Sequence, residues 1–449
     1  MNFSELFRQS RQLSKFSPDG KYLASTVDYR LMVRDVDTLQ IQCLFSCLDH
    51  IQHFEWSPDS EFILCAMYKR GMVQVWSIEQ PDWHCKIDEG SFGMLGAQWS
   101  PDSRNILTTA EFHLRITIWS LATLSVSHIR YPKQIDKNVD FTLDGKYMAL
   151  AERRNCKDFI SLFACNTWEL VKHYETETED MAGLKFCPDG LSLILWDDCR
   201  FNKLLVYSLD GRCLRTFSPY EYRLGVKSVA WSPSGQFLAV GFFDEKVRIL
   251  NHITWNKIAS FSHPASLKST EIVVFKETES RCPQPNTDLS NSSVTLFNSQ
   301  SKYEVVSTPL KLPVVSPNGD SPMFGIGKVE FSADNKYMFT QNDNMPTVIW
   351  IWSIRKMALS EVLVHSSPVR CAMWDPVGSC LALCTANNKL YMWSPNGCLT
   401  VQVPTEGSFT VHSVKWHPSG KILLMQSKDQ MCVCFLSTAT NDKTTEVES

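Results

Sequence analysis

Short apolar runs recur along most of the chain, and each follows a cluster of turn-forming residues. Examples occupy residues 22–24, 62–66, 147–150 and 237–240. These runs are rich in aromatic and β-branched residues, and they lack the 3.6-residue period of an amphipathic helix. The pattern therefore predicts many short β-strands and no helix of consequence.

An aromatic-Ser-Pro-Asp-Gly motif precedes the first of these runs, at residues 16–20. Pro presets φ, Asp bonds the backbone two residues on, and Gly accepts a positive φ, so the motif specifies a tight turn. Copies with varying fidelity lie at 56–60, 99–103, 141–145, 186–190, 231–235, 331–335, 374–378 and 416–420. Each copy predicts a hairpin, in which one strand ends on the aromatic residue and the next begins after the turn.

The spacing of the copies indicates the architecture. Successive aromatic positions lie 40 to 45 residues apart, except for an interval of 100 residues between Trp231 and Phe331. A period of this length with four short strands per unit is typical of WD-repeat β-propeller blades. The predicted third strands have WD-like endings, such as Val-Trp-Ser at 75–77 and Ile-Trp-Ser at 118–120 and 351–353. We therefore predict an all-β fold, one large ring of about nine four-stranded blades, with ten blades or two partial rings as alternatives.

The two ends of the chain predict how the ring closes. Only two strands follow the last motif, at Trp416, so residues 1–12 are expected to supply the missing outer strand of the last blade. The predicted divisions are 1–12 as the closing segment, 13–276 as blades one to six and the start of a degenerate unit, 277–325 as a Pro-, Ser- and Asn-rich insertion, 326–436 as the last three blades, and 437–449 as a disordered tail.

The long interval is the irregular part of the chain. Residues 272–275 predict a first strand without its turn, and 294–297 followed by 303–306 resemble a third and fourth strand. Residues 277–293 are predicted to be a disordered loop and 309–325 an extended connector. A tenth, degenerate blade would have to form within this interval.

Composition narrows the class of protein. A net charge of −4 argues against a nucleic-acid binder that works by general electrostatic attraction. No signal peptide and no apolar stretch of about 18 residues is expected, so secretion and membrane spanning are disfavoured. The 16 Cys residues are scattered through strands without a Cys-x-x-Cys pair, which favours reduced core cysteines in the cytosol or nucleus.

Candidate binding residues lie in the predicted turns between the second and third strands, which emerge on one rim of a propeller. In the first four blades these turns are basic and aromatic, and both Tyr and Arg are favoured interface anchors. The candidate protein-binding residues are Tyr29, Arg30, Tyr68, Lys69, Arg70, Phe112, His113, Arg115, Arg153 and Arg154. Charge reversal at Lys69, Arg70, Arg153 and Arg154 is expected to abolish partner binding with little effect on stability.

Catalytic motifs do not emerge from the sequence. No phosphate-binding loop, nucleophile elbow or zinc-protease helix is present, and we expect no cofactor, no metal and no enzymatic activity. Asp197 and Asp198 are adjacent carboxylates, but neighbouring turn residues usually point apart. His263 and His365 precede predicted first strands, where a structural hydrogen-bonding role is favoured.

Several longer stretches resemble the WD-repeat protein 8 family, also called WD repeat-containing protein antisense to p73. They lie at residues 15–25, 62–71, 111–117 and 148–154, and residues 277–325 do not match the family pattern. The resemblance implies a non-enzymatic adaptor at centrosomes, centriolar satellites and spindle poles. It would act with a coiled-coil partner of the SSX-interacting protein family to anchor microtubule minus ends, with roles in spindle assembly and cilium formation.

The same resemblance implies a second surface for a minus-end-directed kinesin or a tubulin complex, and no direct contact with nucleic acid or membrane. Two other classes stay open. A translation-initiation scaffold is one, because large initiation-factor propellers carry similar turns. A ubiquitin-ligase substrate receptor is the other, although such receptors commonly end a third strand in Trp-Asp-x-Arg, where this chain has Trp-Ser.

Overall fold

The computed structural model is an all-β propeller of nine blades, as the repeat predicted. It describes residues 1–90, 93–133, 135–220, 224–281, 299–315, 324–404 and 409–436. The described helical segments are single turns: α1 (Ile135–Asn138) and the 3-10 turns Tyr68–Arg70 and Glu111–His113. Everything else that is regular is strand.

Blades one to six are regular four-stranded antiparallel sheets. Blades one to three comprise β3 (Ser14–Phe16), β4 (Tyr22–Val27), β5 (Arg30–Asp35), β6 (Ile41–Ser46); β7 (His53–Trp56), β8 (Phe62–Met67), β9 (Met72–Ser77), β10 (His84–Asp88); and β11 (Gly96–Trp99), β12 (Asn105–Thr109), β13 (Arg115–Ser120), β14 (Val126–Arg130). Blades four to six comprise β15 (Val139–Phe141), β16 (Tyr147–Arg154), β17 (Lys157–Ala164), β18 (Leu170–Glu175); β19 (Met181–Phe186), β20 (Ser192–Asp197), β21 (Leu204–Ser208), β22 (Cys213–Phe217); and β23 (Val226–Trp231), β24 (Phe237–Phe242), β25 (Lys246–Asn251), β26 (Lys257–Ser262).

Blade seven is extended and blade nine is shared between the two ends of the chain. Between blades six and seven lie β27 (Ser266–Leu267), β28 (Val273–Arg281), β29 (Ser299–Val306) and β30 (Leu310–Lys311). Blades seven and eight comprise β31 (Ile326–Phe331), β32 (Tyr337–Asn342), β33 (Val348–Ser353), β34 (Ala358–Val364); and β35 (Cys371–Trp374), β36 (Leu381–Cys384), β37 (Lys389–Ser394), β38 (Gly397–Gln402). Blade nine comprises β39 (Ser413–Trp416), β40 (Ile422–Gln426), β41 (Gln430–Phe435), β1 (Asn2–Phe3) and β2 (Phe7–Arg8).

The N-terminal segment occupies the outer edge of blade nine. Both β1 and β2 pair antiparallel with β41, with Asn2 opposite Phe435 and Phe7 opposite Met431. On the inner side, Lys415 of blade nine donates to the Ser14 carbonyl of blade one at 2.8 Å. Strand pairing at the rim and a hydrogen bond at the channel therefore join the first and last blades.

The long interval adds strands to blade seven and does not build a tenth blade in the described residues. Strand β28 pairs in parallel with β34, and β29 pairs antiparallel with β28, so blade seven has six strands. The predicted disordered loop at 277–293 is wrong for residues 277–281, which belong to β28. Buried Glu277 explains the order, because it accepts hydrogen bonds from the Tyr391 hydroxyl at 2.7 Å and from the Ser366 N–H at 2.9 Å. The rest of that loop, the predicted strand at 294–297, residues 316–323 of the predicted connector at 309–325 and the predicted tail lie outside the described residues.

The repeated turn has the geometry that its residues predict. Ser17 receives a hydrogen bond from the Tyr22 N–H at 2.9 Å and donates to Asp19 at 2.6 Å. Gly20 has a φ of +79°, a region that favours glycine, and a Cβ there would lie 2.7 Å from the His417 ring. This turn therefore serves both its own hairpin and the contact with blade nine.

Tryptophans at the ends of the first strands link neighbouring blades. The Trp56 indole N–H donates to the Lys15 carbonyl at 3.3 Å, and that of Trp99 donates to the Glu55 carbonyl at 3.2 Å. The indole N–H groups of Trp374 and Trp416 donate in the same way to backbone carbonyls in the first strands of blades seven and eight. Each bond joins one blade to the one before it, so the aromatic position of the motif contributes to the ring as well as to its own hairpin.

The connections divide between two faces of the ring. The upper face carries the turns between the second and third strands and the connections between blades; for example, the Cys47 N–H donates to the Tyr29 carbonyl at 2.8 Å. The lower face carries the Ser-Pro-Asp-Gly turns and the turns between the third and fourth strands. First strands of blades four to eight line a cavity of about 870 Å³ in the central channel.

Candidate protein-binding surface

The structure places the ten candidate residues at the upper-face ends of blades one to four. Tyr29 lies in the turn between β4 and β5, Arg30 is the first residue of β5, and Tyr68–Arg70 is the 3-10 turn between β8 and β9. Phe112 and His113 belong to the 3-10 turn that precedes β13, and Arg115 is the first residue of that strand. Arg153 and Arg154 end β16. The candidate set therefore shares one face, although its members differ greatly in their surroundings.

Phe112 is the most exposed of the large apolar side chains on this face. Its relative accessibility is 84%, and it lies in a left-handed backbone conformation with a φ of 58°. Non-glycine residues rarely adopt this conformation, and it costs about 1 to 3 kcal/mol unless the surroundings impose it. Phe112 belongs to none of the apolar clusters among the described residues, so core packing does not account for its position.

Three further exposed apolar side chains lie on the chain segments next to the Phe112 turn, and together with Phe112 they form what we call the blade-three patch. Its members are Leu95, Phe112, Leu114 and Tyr131, which are 48%, 84%, 54% and 55% exposed. Backbone hydrogen bonds bring their segments together: the Leu95 N–H donates to the Thr109 carbonyl at 2.9 Å, and the Tyr131 N–H to the Leu114 carbonyl at 3.4 Å. Sequence reasoning missed Leu95 and Tyr131 because they come from connections between blades, which carry no repeat motif.

Basic side chains flank the patch. The Arg154 guanidinium lies over the Tyr131 ring, 4.8 Å from its centroid, and pairs with Glu152 at 2.7 Å. On blade two, Arg70 donates to the Leu48 carbonyl at 3.0 Å and leaves about half of its side chain exposed. Tyr29 on blade one is exposed and carries Arg30 over its ring at 5.5 Å. An apolar centre with cationic neighbours suits a partner that has an apolar stripe with acidic flanks.

Arg153 departs from the expectation of a free surface charge. It contacts Asp158 and Asp180, each at 2.9 Å, and Lys133 contacts the same Asp158 at 3.1 Å. The Asp158 side chain is fully buried, so these cations neutralise a charge inside the fold. The prediction that charge reversal at this position leaves stability unchanged is therefore not supported by its contacts.

The adjacent carboxylates Asp197 and Asp198 occupy different environments. Asp197 is buried and accepts hydrogen bonds from the Glu179 and Asp180 backbone N–H groups, and burial raises its pKa to about 6. Asp198 pairs with Arg200 at 2.8 Å, and this hydrogen bond lowers its pKa. The two side chains have no partner in common, so they do not form an acid–base pair.

The two predicted structural histidines make fold contacts, which confirms that interpretation. His263 is hydrogen-bonded to the Glu245 carbonyl at 2.9 Å and to Thr340 Oγ1 at 2.7 Å, and Thr340 accepts the Trp352 indole N–H. His365 lies within hydrogen-bonding distance of the Tyr303 hydroxyl at 3.3 Å. Burial lowers the pKa of each imidazole to about 4.

The described part of the chain contains neither a candidate metal site nor a candidate membrane-spanning helix. Within it, His, Cys, Asp and Glu form no group of three that could hold a metal ion. The described helices also include none that is long and apolar enough to cross a bilayer.

Comparisons with known proteins agree with this fold. Residues 198–274 match the model of the anaphase-promoting complex subunit 4 WD40 domain, and residues 358–394 match that of the WD domain, G-beta repeat. The WD repeat-containing protein WRAP73 of Mus musculus is 54% identical over 98% of this chain and 96% of its own length. An uncharacterized WD repeat-containing protein of Schizosaccharomyces pombe is 22% identical over the whole chain and 95% of its own length. The C-terminal WD40 domain of Sif2 has a similar fold, with a TM-score of 0.51 and 11% identity, covering 97% of this chain and 99% of that one.

Proposed function

Because the chain belongs to the family of WD-repeat proteins that contains mouse WRAP73, we propose that it is a non-enzymatic adaptor of centrosomes and spindle poles. In this role it binds a coiled-coil protein of the SSX-interacting protein family and anchors microtubule minus ends, in support of spindle assembly and cilium formation. A minus-end-directed kinesin or a tubulin complex is the further partner of the same assembly.

The blade-three patch is the observation that carries the proposal. A propeller is a rigid frame that neither requires nor excludes a particular function, so the function has to be argued from its surfaces. Here an exposed aromatic side chain stands on a left-handed turn, the exposed Leu114 follows two residues later, and the exposed Tyr131 is joined to Leu114 by a backbone hydrogen bond. A surface helix of a coiled coil presents an apolar stripe between charged positions, and it is the occupant that this patch and its flanking arginines suit best.

The experiment is affinity purification of the tagged full-length protein from dividing cells, together with imaging of the same protein. We expect recovery of a coiled-coil protein of the SSX-interacting family and signal at the spindle poles. The Phe112→Asp variant should lose both. Recovery of ribosomal proteins with a diffuse cytoplasmic signal would overturn the proposal in favour of a translation scaffold.

Leu143→Asp is the matched control, because Leu143 is 87% exposed but lies in a lower-face turn of the neighbouring blade. It introduces the same charge at an equally exposed apolar position. If both variants lose the partner to the same extent, the loss reflects added charge and the assignment to the patch is wrong.

A further inference from the structure

A groove on the lower face, between blades two and three, is the clearest cavity that the proposed function leaves unused. Its volume is about 340 Å³, within the range of pockets that hold a ligand or one or two large side chains. Its walls include Glu61, Phe62, Glu79, Trp83, Arg104 and Ala122. The loop from Ser77 to His84, which forms one wall, is the longest connection between third and fourth strands among the described blades.

The lining of the groove is aromatic. The rings of Phe62 and Trp83 lie 5.2 Å apart at 57°, and the Arg104 guanidinium lies 5.5 Å from the Phe62 centroid. Arg104 is fixed there, since one of its nitrogens binds Asp59 and the other binds Glu61 at 3.0 Å. Two half-buried aromatic rings beside an immobilised guanidinium form a preformed surface for an apolar side chain.

The rim of the groove is acidic. Glu61 and Glu79 line the groove together with the single cation of Arg104, Asp59 pairs with that Arg104, and the exposed Asp82 immediately precedes Trp83 in the wall loop. Arg104 is already shared by Asp59 and Glu61, and no ion pair to Glu79 or Asp82 occurs among the described residues. The excess of negative charge favours an occupant with Lys or Arg next to its apolar group.

An unpacked leucine beside the groove provides an independent observation. Leu124 lies in the turn between β13 and β14, two residues after Ala122 of the groove wall, with a φ of 56°. The same left-handed turn position is occupied by Leu39, Trp168, Trp255 and Met357 in other blades. All four of those side chains pack against the core, whereas Leu124 is 83% exposed and belongs to no described apolar cluster. The apolar contact that the other four turns make with the core is therefore missing in the turn that carries Leu124.

We propose that this groove binds a short segment of a partner protein in which a large apolar side chain stands next to Lys or Arg. The apolar side chain packs on Phe62 and Trp83, the basic side chain pairs with Glu79 and Asp82, and Leu124 is covered at the edge. Because the groove and the blade-three patch lie on opposite faces, both sites are occupied at the same time. The chain thereby bridges two partners.

The test uses purified full-length protein and a displayed library of random 12-residue peptides. Selected peptides should combine Trp, Phe or Leu with an adjacent Lys or Arg. In fluorescence polarisation, Glu79→Lys with Asp82→Lys should weaken a selected peptide by about tenfold or more, and Leu124→Asp by several-fold. Since all three residues are exposed surface positions, these variants should keep the thermal stability of the parent.

Phe112→Asp is the control for the other face and should bind the selected peptides with unchanged affinity. Because Phe112→Asp is expected to abolish binding of the coiled-coil partner, unchanged peptide binding would show that the groove is a separate site. The inference is overturned if selected peptides lack a basic residue, or if they bind the doubly substituted and parent proteins equally well. It is also overturned if Phe112→Asp removes their binding.

Discussion

Blade three contains two aromatic side chains with opposite surroundings, Trp99 at the inner wall and Phe112 at the upper face. Trp99 is 5% exposed, packs between blades two and three, and donates to the Glu55 carbonyl. Phe112 is 84% exposed, and its ring joins no apolar cluster of the described residues. The first side chain joins two blades of the ring, while the second projects from the surface. Aromatic residues that the architecture does not use are therefore the better guide to binding.

Replacement of Trp99 should give the largest effect on stability. Trp99→Ala removes a buried indole and its link to blade two, and we expect the free energy of unfolding to fall by about 3 to 5 kcal/mol. Denaturant unfolding followed by circular dichroism measures it, with Trp99→Phe as a milder control. A loss below about 1 kcal/mol would show that the inner wall does not depend on this residue.

Acidification should weaken the inner packing around His263. Its folded-state pKa is lowered to about 4, while the unfolded chain binds the proton near 6.5, so the unfolded state holds more protons between these values. Stability is therefore fully present above pH 6.5 and decreases as the pH falls to 4, by up to roughly 3 kcal/mol from this residue. The difference in free energy of unfolding between the parent and His263→Gln should become smaller as the pH falls from 6.5 to 4. A difference that does not change with pH would contradict the lowered pKa of His263.

Charge reversal should change stability by different amounts at two residues of the candidate set, Arg153 and Lys69. Arg153→Glu places a carboxylate beside buried Asp158, and we expect a loss of about 2 kcal/mol after allowing for the partial exposure of Arg153. Lys69→Glu, on an exposed turn, should change stability by less than about 0.5 kcal/mol. Equal effects in thermal unfolding would mean that the ion pairs around Asp158 contribute nothing.

Substitution of Phe112 should give the smallest effect on stability. Phe112→Asp is expected to change the free energy of unfolding by less than about 0.5 kcal/mol, because the side chain is exposed. Thermal unfolding of Phe112→Asp and Trp99→Ala, measured in parallel, compares the stability contributions of the two residues within one blade. A loss similar to that of Trp99→Ala would show that Phe112 has a structural role after all.

The repeat made the fold predictable, because each aromatic-turn motif fixes a hairpin locally and its spacing fixes the blade. The β28–β29 hairpin was not predictable in the same way. It lacks the turn motif, and its pairing with β34 is parallel and depends on residues about 90 positions away. In the sequence Glu277 belongs to a stretch with the composition of a loop, but in the fold it is buried and accepts hydrogen bonds from Tyr391 and Ser366.

The candidate surface was only partly predictable. The turns carrying Phe112 and Arg154 follow from the repeat, and so does their common face. The contributions of Leu95 and Tyr131 depend on how the connections between blades fold back, for which the sequence has no periodic signal. The burial of Arg153 depends on Asp158 and Asp180 from neighbouring segments, so sequence alone could not separate it from its exposed neighbour Arg154.

The most direct test of the account is the affinity of the purified chain for a purified coiled-coil protein of the SSX-interacting family, measured by isothermal titration calorimetry. We predict tight binding by the parent and by Leu143→Asp, and at least tenfold weaker binding by Phe112→Asp with unchanged thermal stability. Unchanged affinity of Phe112→Asp would contradict the claim that the blade-three patch is the partner-binding surface.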